Sequence, residues 1–339
     1  MLGRSLLTIQ VLIGRAGHLI MVCPLPHHST GINDILNCAC ASRSRLIAVR
    51  SNAIQELARS FSRINRLSHL ETINFTFYPI NARHSDRGSR HALQLSIFDA
   101  LVTSFRDRGP SKLTSLSLHN LRTLDHPFES PSFQNILKTL RYFQLSVLYD
   151  ISRDEWLMIP SRWSRFWGNL CPRMVLAPMQ HALRELTLHS DAFVGASSGL
   201  SLAGLHFPHL HALSLRNLVF DPSIGVQPFI LLHSTSLAKL ELLTCKLPTT
   251  GILFAPSWDP SPPSFMPFWD RIWDQFATEL TALVALHIDD TECSYVDIGL
   301  GRLYNLDSDR KAQDATDFAA LKRFHSVVTA RSEEMRGES

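Results

Sequence analysis

The chain has 339 residues, of which 45% are hydrophobic and 19% are charged, so it can bury an extensive apolar core. Its 33 lysine and arginine residues nearly balance its 30 aspartate and glutamate residues, which leaves a formal net charge of +3. Such a balance produces no field that would steer the chain to nucleic acid or to an anionic membrane, and we expect neither as a partner.

Residues 1–45 differ in kind from the rest of the chain. They contain no acidic residue before Asp34, and an apolar run over residues 5–13 is weakly similar to a signal or transit peptide. Arg15 interrupts the hydrophobic stretch before it reaches the ~20 residues that a membrane span needs. The prolines that follow, such as Pro26, break every later stretch long enough to pack. We therefore predict a poorly ordered N-terminal leader over residues 1–45.

A helical pattern follows the leader. Between residues 46 and 67 the apolar positions recur mostly at spacings of three and four, which is typical of an amphipathic helix. Similar patterns stand before the later strands that begin near Leu113 and Leu237. Parallel strands need such crossovers, because a tight hairpin joins only antiparallel neighbours. We therefore predict a sheet that is parallel throughout.

The phrase L-x-x-L-x-L returns at a fixed interval. Three copies begin 27 residues apart, and four further or looser copies precede or follow them. The seven copies start at Leu70, Leu113, Leu140, Leu183, Leu210, Leu237 and Leu283. This period is typical of a leucine-rich-repeat solenoid, an α/β fold in which a curved parallel sheet carries helices on its convex side. We assign residues 46–310 to this domain.

The last 29 residues, 311–339, are predicted to form a C-terminal helix and tail. Phe318, Leu321, Phe324 and Val328 follow one another at spacings of 3, 3 and 4 behind Asp314, a candidate N-cap. We expect this helix to cover the open end of the last repeat, because a solenoid must shield its terminal apolar layer.

Two insertions share an aromatic pattern at helical spacing. Their matching positions are Trp163, Phe166, Trp167 and Leu170 in one insertion and Trp269, Ile272, Trp273 and Phe276 in the other. These side chains either form an exposed ridge for a partner or anchor a helix against the sheet. We favour the anchor, because aromatic residues at helical spacing usually belong to a core.

The residues between the leucines of each strand alternate to the opposite face, which in a horseshoe is the concave wall. This wall is polar, and it suits a protein or peptide partner better than a small apolar ligand. The other interpretation is that most of it is merely solvated, with a few positions that carry binding energy. Our candidate partner-binding residues are Tyr142, Gln144, Glu185, His189, Arg216, Lys239, Glu241 and His287.

Catalytic and metal-binding motifs are not evident. His206, His209 and His211 form the densest group among the 16 histidines, but a zinc site needs further ligands and Pro208 disturbs the local geometry. We predict no catalytic residue, no metal site and no cofactor. The six cysteines have no framework spacing, which favours reduced thiols and a cytoplasmic or nuclear location.

The repeat period, the phrases LHALSLRNLVFD and FILLHSTSLAKLELLTCKL and the W-x-x-F-W and W-x-x-I-W insertions resemble the leucine-rich-repeat region of fungal F-box-like proteins. The resemblance covers residues 46–306. It implies a non-enzymatic module that captures substrates for an SCF-type cullin-RING ubiquitin ligase. The alternative is a free-standing leucine-rich-repeat scaffold or regulator unrelated to ubiquitin, and a metal-dependent hydrolase is a distant third.

Proteins of that family dock on the ligase adaptor through an N-terminal helical F-box. That box contains an L-P-x-E-hydrophobic sequence. Here Leu25 and Pro26 are followed by two histidines and then by Ser29, Thr30 and Gly31, so no F-box is recognisable. We therefore expect this chain not to bind the cullin-ligase adaptor, and we expect its partner to be a protein held on the concave face.

Overall fold

The computed structural model describes residues 7–13, 19–22, 70–77, 94–96, 98–99, 102–103, 112–123, 127–149, 161–195, 198–248, 268–289, 294–299, 302–304 and 311–337. The chain divides into two compact units, Met1–Asp150 and Ile151–Ser339. Both units are of the α/β class, with mostly parallel strands.

The first unit contains five strands in the order β2-β1-β3-β4-β5. These are β1 (Leu7–Ile13), β2 (Leu19–Val22), β3 (Leu70–Phe77), β4 (Ser115–Arg122) and β5 (Tyr142–Leu148). Strands β1, β3, β4 and β5 run parallel, and β2 is antiparallel to β1. The register aligns Ile73 with Leu116 and Leu116 with Phe143, and all three side chains are buried.

Helix α1 (Pro131–Leu137) lies between β4 and β5 and follows a short 3-10 helix, Pro127–Glu129. Pro131 stands at the first turn of α1, where its missing N–H removes no hydrogen bond. Phe133 packs edge-on against Phe98 and Phe128, with ring centroids 5.8 and 5.5 Å away. This aromatic cluster forms part of the core of the first unit.

The second unit contains a four-stranded parallel sheet in the order β6-β7-β8-β10, and a small sheet in the order β9-β11-β12. The strands are β6 (Glu185–Val194), β7 (Ala212–Leu218), β8 (Lys239–Leu243), β9 (Lys246–Pro248), β10 (Ala285–Ile288), β11 (Ser294–Gly299) and β12 (Arg302–Tyr304). The helices are α2 (Ser161–Arg165), which continues as a π-helix over Phe166–Leu176, then α3 (Val226–Leu232), α4 (Trp269–Glu279) and α5 (Lys311–Gly337).

The leucine core predicted from the repeat is confirmed within the second unit. Leu186, Leu213 and Leu240 lie side by side on β6, β7 and β8, and the leucines two residues further on repeat the row. The predicted core leucines are all buried: Leu183, Leu186, Leu188, Leu210, Leu213, Leu215, Leu237, Leu240 and Leu242. One face of the parallel sheet is therefore a continuous apolar layer.

The prediction that the aromatic insertions anchor helices in the core is confirmed, and the alternative of an exposed aromatic ridge is wrong. All eight matching positions are buried, while Arg165 and Arg271 within the same segments are exposed. Gly168 allows the π-helix to approach the following loop, because a Cβ there would lie 3.1 Å from the carbonyl oxygens of Ser198 and Gly199.

Helix α5 packs against α4 and β10. Asp317 accepts a hydrogen bond from the backbone N of Asp270 at 3.0 Å, near the start of α4. Arg331 donates to the carbonyl oxygens of Leu280 and Ala277 at 2.7 and 2.8 Å, at the end of α4. The two helices therefore run parallel, with a carboxylate at the positive end of α4 and a guanidinium at its negative end.

The predicted buried face of the C-terminal helix is only partly correct. Leu321, Phe324 and Val328 are buried, but Phe318 is 61% exposed and Asp317 occupies the buried position beside it. Asp314 is not an N-cap, because α5 begins at Lys311. The carboxylate of Asp317 is buried because it bonds to the start of α4, and this contact sets the rotation of α5.

The prediction of a sheet that is parallel throughout is wrong at two places. Strands β1 and β2 form an antiparallel pair, and so do β11 and β12. Each pair is joined by a short connection, which can only link antiparallel neighbours. Within the predicted leader, Leu7–Ile13 forms β1, which pairs with β3. The predicted helix over residues 46–67 lies outside the described residues.

Candidate functional site

The strands of the second unit carry a polar surface on the side opposite their leucines. Strand register places Ser214 between Thr187 and Glu241, with His287 beyond Glu241 on β10. In a second row of the same face, the register places Lys239 on β8 between Ala212 on β7 and Ala285 on β10. We call this surface the polar face, and it consists of Glu185, Thr187, His189, Ala212, Ser214, Arg216, Lys239, Glu241, Ala285 and His287.

Three side chains of the polar face form a hydrogen-bonded network across β6, β7 and β8. The hydroxyl of Ser214 donates to a carboxylate oxygen of Glu241, and the Nε2 of His189 lies 2.9 Å from the Ser214 Oγ. Because Ser214 has a single proton and gives it to Glu241, the His189 Nε2 must be the donor to Ser214. The network thus fixes three side chains of three neighbouring strands in one arrangement.

This arrangement is unlike that of a serine nucleophile. In nucleophilic catalysis the imidazole accepts the serine proton, whereas here the imidazole donates to the serine oxygen. Ser214 is also buried, with 9% of its surface exposed. The network therefore holds side chains in place rather than activating a hydroxyl group.

Charged and polar side chains stand beside the network and project into solvent. Arg216, Lys239, Glu185 and His287 are exposed. Lys239 has only alanines beside it in its row, Ala212 and Ala285, so neither neighbouring side chain covers its ammonium group. The polar face therefore presents both signs of charge around a fixed hydrogen-bonded centre.

The structure brings together some of the predicted site residues and not others. His189 and Glu241 meet through Ser214, which was not among the candidate residues. The strand period of two could have identified Ser214, because it places Ser214 on the same face as both residues, in register with Glu241 and two residues before Arg216, which pairs with His189. Tyr142 and Gln144 lie on β5 in the first unit, where Tyr142 is 39% exposed and Gln144 is half-buried.

The histidine group considered for metal binding does not converge. His206, His209 and His211 are exposed. Within the part of the chain that the structure describes, no three histidine, cysteine, aspartate or glutamate residues are placed to hold a metal ion. Cys171 and Cys245 are buried free thiols, and burial raises the pKa of Cys245 to about 12. Neither thiol is therefore activated as a nucleophile.

His233, which the sequence analysis did not single out, is fully engaged in the core. Its Nδ1 donates to the carbonyl oxygen of Phe229 at 2.7 Å, and its Nε2 accepts from the backbone N of Phe207 at 2.9 Å. This pattern requires the neutral ring. Burial lowers the pKa of His233, the bond to Phe229 raises it, and the nearby His206 lowers it, with a net decrease.

This geometry predicts a loss of stability in mild acid. A histidine with a lowered folded-state pKa binds fewer protons when folded, so its stabilising contribution is present above the unfolded pKa of about 6.5 and falls below it. We expect the free energy of unfolding to decrease between about pH 7.5 and 5.5. The measurement is urea unfolding across this range.

The matched variant is His233→Gln, which cannot titrate. It should show a smaller decrease over the same pH range. The decrease should not vanish, because burial also lowers the pKa of His119, which acts in the same direction. An identical pH dependence in both proteins would contradict the role of His233.

These features define an α/β protein whose second unit has a parallel sheet with one leucine-lined face and one polar face. None of the helices in the described ranges is long and apolar enough to cross a membrane. No protein-family model, curated protein or solved structure matches this chain.

Proposed function

We propose that this chain is a non-enzymatic protein–protein interaction module that binds its partner on the polar face of the second unit. The observation that carries the proposal is the His189–Ser214–Glu241 network on a sheet surface beside exposed charged groups. A pre-ordered polar centre lowers the entropy lost on binding. Neighbouring exposed arginine and lysine side chains supply contacts of the kind that contribute strongly when a partner excludes water.

The role that we propose for the module is recognition of a protein substrate, as the resemblance to fungal F-box-like leucine-rich-repeat proteins implies. The 27-residue period and the buried leucine rows support a leucine-rich-repeat arrangement of the strands. The alternative is a free-standing leucine-rich-repeat scaffold or regulator. The scattered spacing of the six cysteines favours reduced thiols, which supports a cytoplasmic or nuclear location.

The polar face can be tested by paired arginine variants. Arg216→Ala should reduce the recovery of partners in affinity purification by about fivefold or more, because it removes an exposed guanidinium beside the network. Arg173→Ala is the control, since Arg173 is also exposed but lies on the π-helix. Quantitative mass spectrometry would compare each variant with the unaltered chain.

Both variants should keep the unfolding midpoint of the unaltered chain. Proteins lost with Arg216→Ala and kept with Arg173→Ala are the partners of the polar face. If Arg216→Ala recovers every partner at the original level, the polar face is not the binding surface.

The ubiquitin role and the scaffold role differ in one interaction. We expect the purified chain not to bind the purified cullin adaptor, because no F-box is recognisable, whereas the chain fused to an F-box should bind it. Gel filtration of the two mixtures measures this directly. Binding by the unaltered chain would establish docking on the ligase, and it would contradict the expectation drawn from residues 25–31.

A further inference from the structure

A short irregular segment, residues 203–210, leads into β7, and we call it the β7 entry segment. Its apolar side chains Leu205 and Phe207 are buried, and most of its other residues are exposed. Within the described ranges, only two hydrogen bonds join this segment to residues more than three positions away in the chain. The Gln180 side chain donates to the carbonyl oxygen of Gly204 at 3.5 Å, and the backbone N of Phe207 donates to the His233 ring at 2.9 Å. The bond to His233 is therefore the better polar link of the segment to the rest of the second unit.

His233 connects the β7 entry segment to helix α3. It follows the last residue of α3 and its ring is buried. The Nδ1 donates to the carbonyl oxygen of Phe229, and the Nε2 accepts from the backbone N of Phe207. A proton on Nε2 would bring two donors face to face, so the bond to Phe207 exists only with the neutral ring.

One other titratable side chain faces the His233 ring. The ring of His206, which is exposed in the β7 entry segment, lies 5.6 Å away between centroids. The other rings in contact are those of Phe207 and Phe229, at 6.0 and 4.7 Å. Burial lowers the pKa of His233, and so does His206, whereas the bond to Phe229 raises it, and no carboxylate among the described residues contributes. A positive charge on the ring would therefore meet no opposite charge.

We propose that His233 is a pH-sensitive latch, which holds the β7 entry segment in place in neutral solution and releases it in mild acid. When the segment opens, water reaches the ring, and its pKa returns towards the ordinary value of about 6.5. The open state therefore binds a proton more readily than the closed state, and acid favours opening. The release is local, because the segment is short and mostly exposed. It is distinct from the loss of overall stability and from the binding function of the polar face.

The release would reach the polar face through β7. The amides of His211 and Ala212, directly after the β7 entry segment, donate to the carbonyl oxygen of Arg184 at 2.7 and 3.1 Å. These bonds begin the pairing of β7 with β6, and Ser214 and Arg216 follow on the same strand. We expect binding on the polar face to weaken in mild acid, a consequence that rests on the function proposed for that face.

Hydrogen exchange of the full chain, read by residue-level mass spectrometry, tests the latch. After correction for the intrinsic rate at each pH, exchange of the Phe207 amide should rise about five- to tenfold between pH 7.5 and 5.5. Val219, beyond the far end of β7, donates to the carbonyl oxygen of Val194 at 2.9 Å, and its amide should exchange much more slowly than that of Phe207. Equal exchange rates of the two amides would mean that the segment opens only when the whole protein unfolds, and would overturn the proposal.

Two histidines of the segment provide a matched pair of variants. Both His206 and His209 are exposed, but only His206 lies beside His233. His206→Gln removes the charge that opposes protonation of His233 in the closed state, so the rise in Phe207 exchange should be about twofold smaller. His209→Gln should show the rise of the unaltered chain. The same rise in both variants would count against the latch.

His233→Gln removes the titrating group itself. Its side-chain amide can still donate and accept, and exchange of the Phe207 amide should be the same at pH 7.5 and 5.5. A five- to tenfold rise that persists in the folded variant would overturn the proposal. If His233→Gln does not fold, as judged by circular dichroism, the His206 and His209 variants decide the question.

Affinity purification at the two pH values tests the consequence for the polar face. The partners that depend on Arg216 should be recovered about threefold less at pH 5.5 from the unaltered chain, and equally at both pH values from His233→Gln. His189 is present in both proteins, so the difference isolates His233. Unchanged recovery together with increased Phe207 exchange would overturn the regulation of the polar face and leave the latch. If no recovered partner depends on Arg216, the proposed function fails, and the exchange results still decide the latch.

Discussion

We expect Leu240→Ala to lower the free energy of unfolding by about 2–5 kcal/mol. Leu240 is fully buried on β8, and its neighbours in register are Leu213 on β7 and Leu286 on β10. Both neighbours belong to hydrogen-bonded strands, which cannot move in to fill the space. The loss therefore combines the transfer free energy of the removed methyl groups with the cost of a cavity.

Leu232→Ala is the matched control. Leu232 is 53% exposed on α3, so the same change of side chain should cost well under 1 kcal/mol. Urea unfolding followed by far-UV circular dichroism gives both values, provided that the slope against urea is unchanged. Equal losses for Leu240 and Leu232 would show that the leucine rows are not a packed core.

We expect Phe324→Ala to cost about 3–5 kcal/mol. Phe324 is fully buried on α5, with its ring 6.2 Å from that of Trp273 and 6.1 Å from that of Phe276 on α4. Truncation removes this three-ring contact and leaves a void between the two helices. The contact is a main source of the stability of the C-terminal helix, because Leu321 and Val328 are smaller.

Phe318→Ala tests the same change on the other face of the same helix. Phe318 is 61% exposed, so its loss should have little effect, and the difference between the two variants should exceed about 2 kcal/mol. Thermal unfolding followed by tryptophan fluorescence suits this pair, because Trp273 reports on the packing of α4 against α5. A larger loss for Phe318 than for Phe324 would mean that α5 is rotated from the described orientation.

The polar contacts between α4 and α5 are expected to contribute unequally to stability. Arg323 and Asp274 form an ion pair at 2.9 Å, but their side chains are 57% and 54% exposed. An exposed pair of this kind contributes little, because solvent screens it and two long side chains lose freedom. The hydrogen bonds of Arg331 to the carbonyl oxygens of Leu280 and Ala277, at the end of α4, are half-buried. We expect these hydrogen bonds to hold the two helices in alignment more strongly than the exposed ion pair does.

The two faces of the parallel sheet in the second unit should differ in how well they tolerate substitution. The leucine face supplies stability, and it cannot change without the loss of several kcal/mol. The polar face can vary more freely, because its residues other than the buried Ser214 are half-buried or exposed and their replacement leaves the leucine core intact. Such a division suits a binding module whose partner is set by surface residues on a constant framework.

Much of the second unit follows from local pattern in the chain. The period of two along each strand separates Leu240 and Leu242 from Lys239 and Glu241, and the interval of 27 residues aligns equivalent positions of β6, β7 and β8. Helical spacing likewise identifies the buried aromatic anchors, because bulky apolar side chains on one face must be covered. These features depend on the composition and spacing of residues along the chain, so they can be predicted from the sequence alone.

Other features depend on contacts between distant residues, and only the tertiary structure decided them. Spacings of three and four on α5 allow either Phe318 or Asp317 to be buried, and the bond from Asp317 to the start of α4 selects Asp317. The proton of Ser214 is directed to Glu241, 27 residues away, so His189 does not accept it. The bond between Phe207 and the His233 ring likewise joins residues 26 positions apart. Spacing in the chain sets which side chains share a face, whereas packing between elements determines what that face meets.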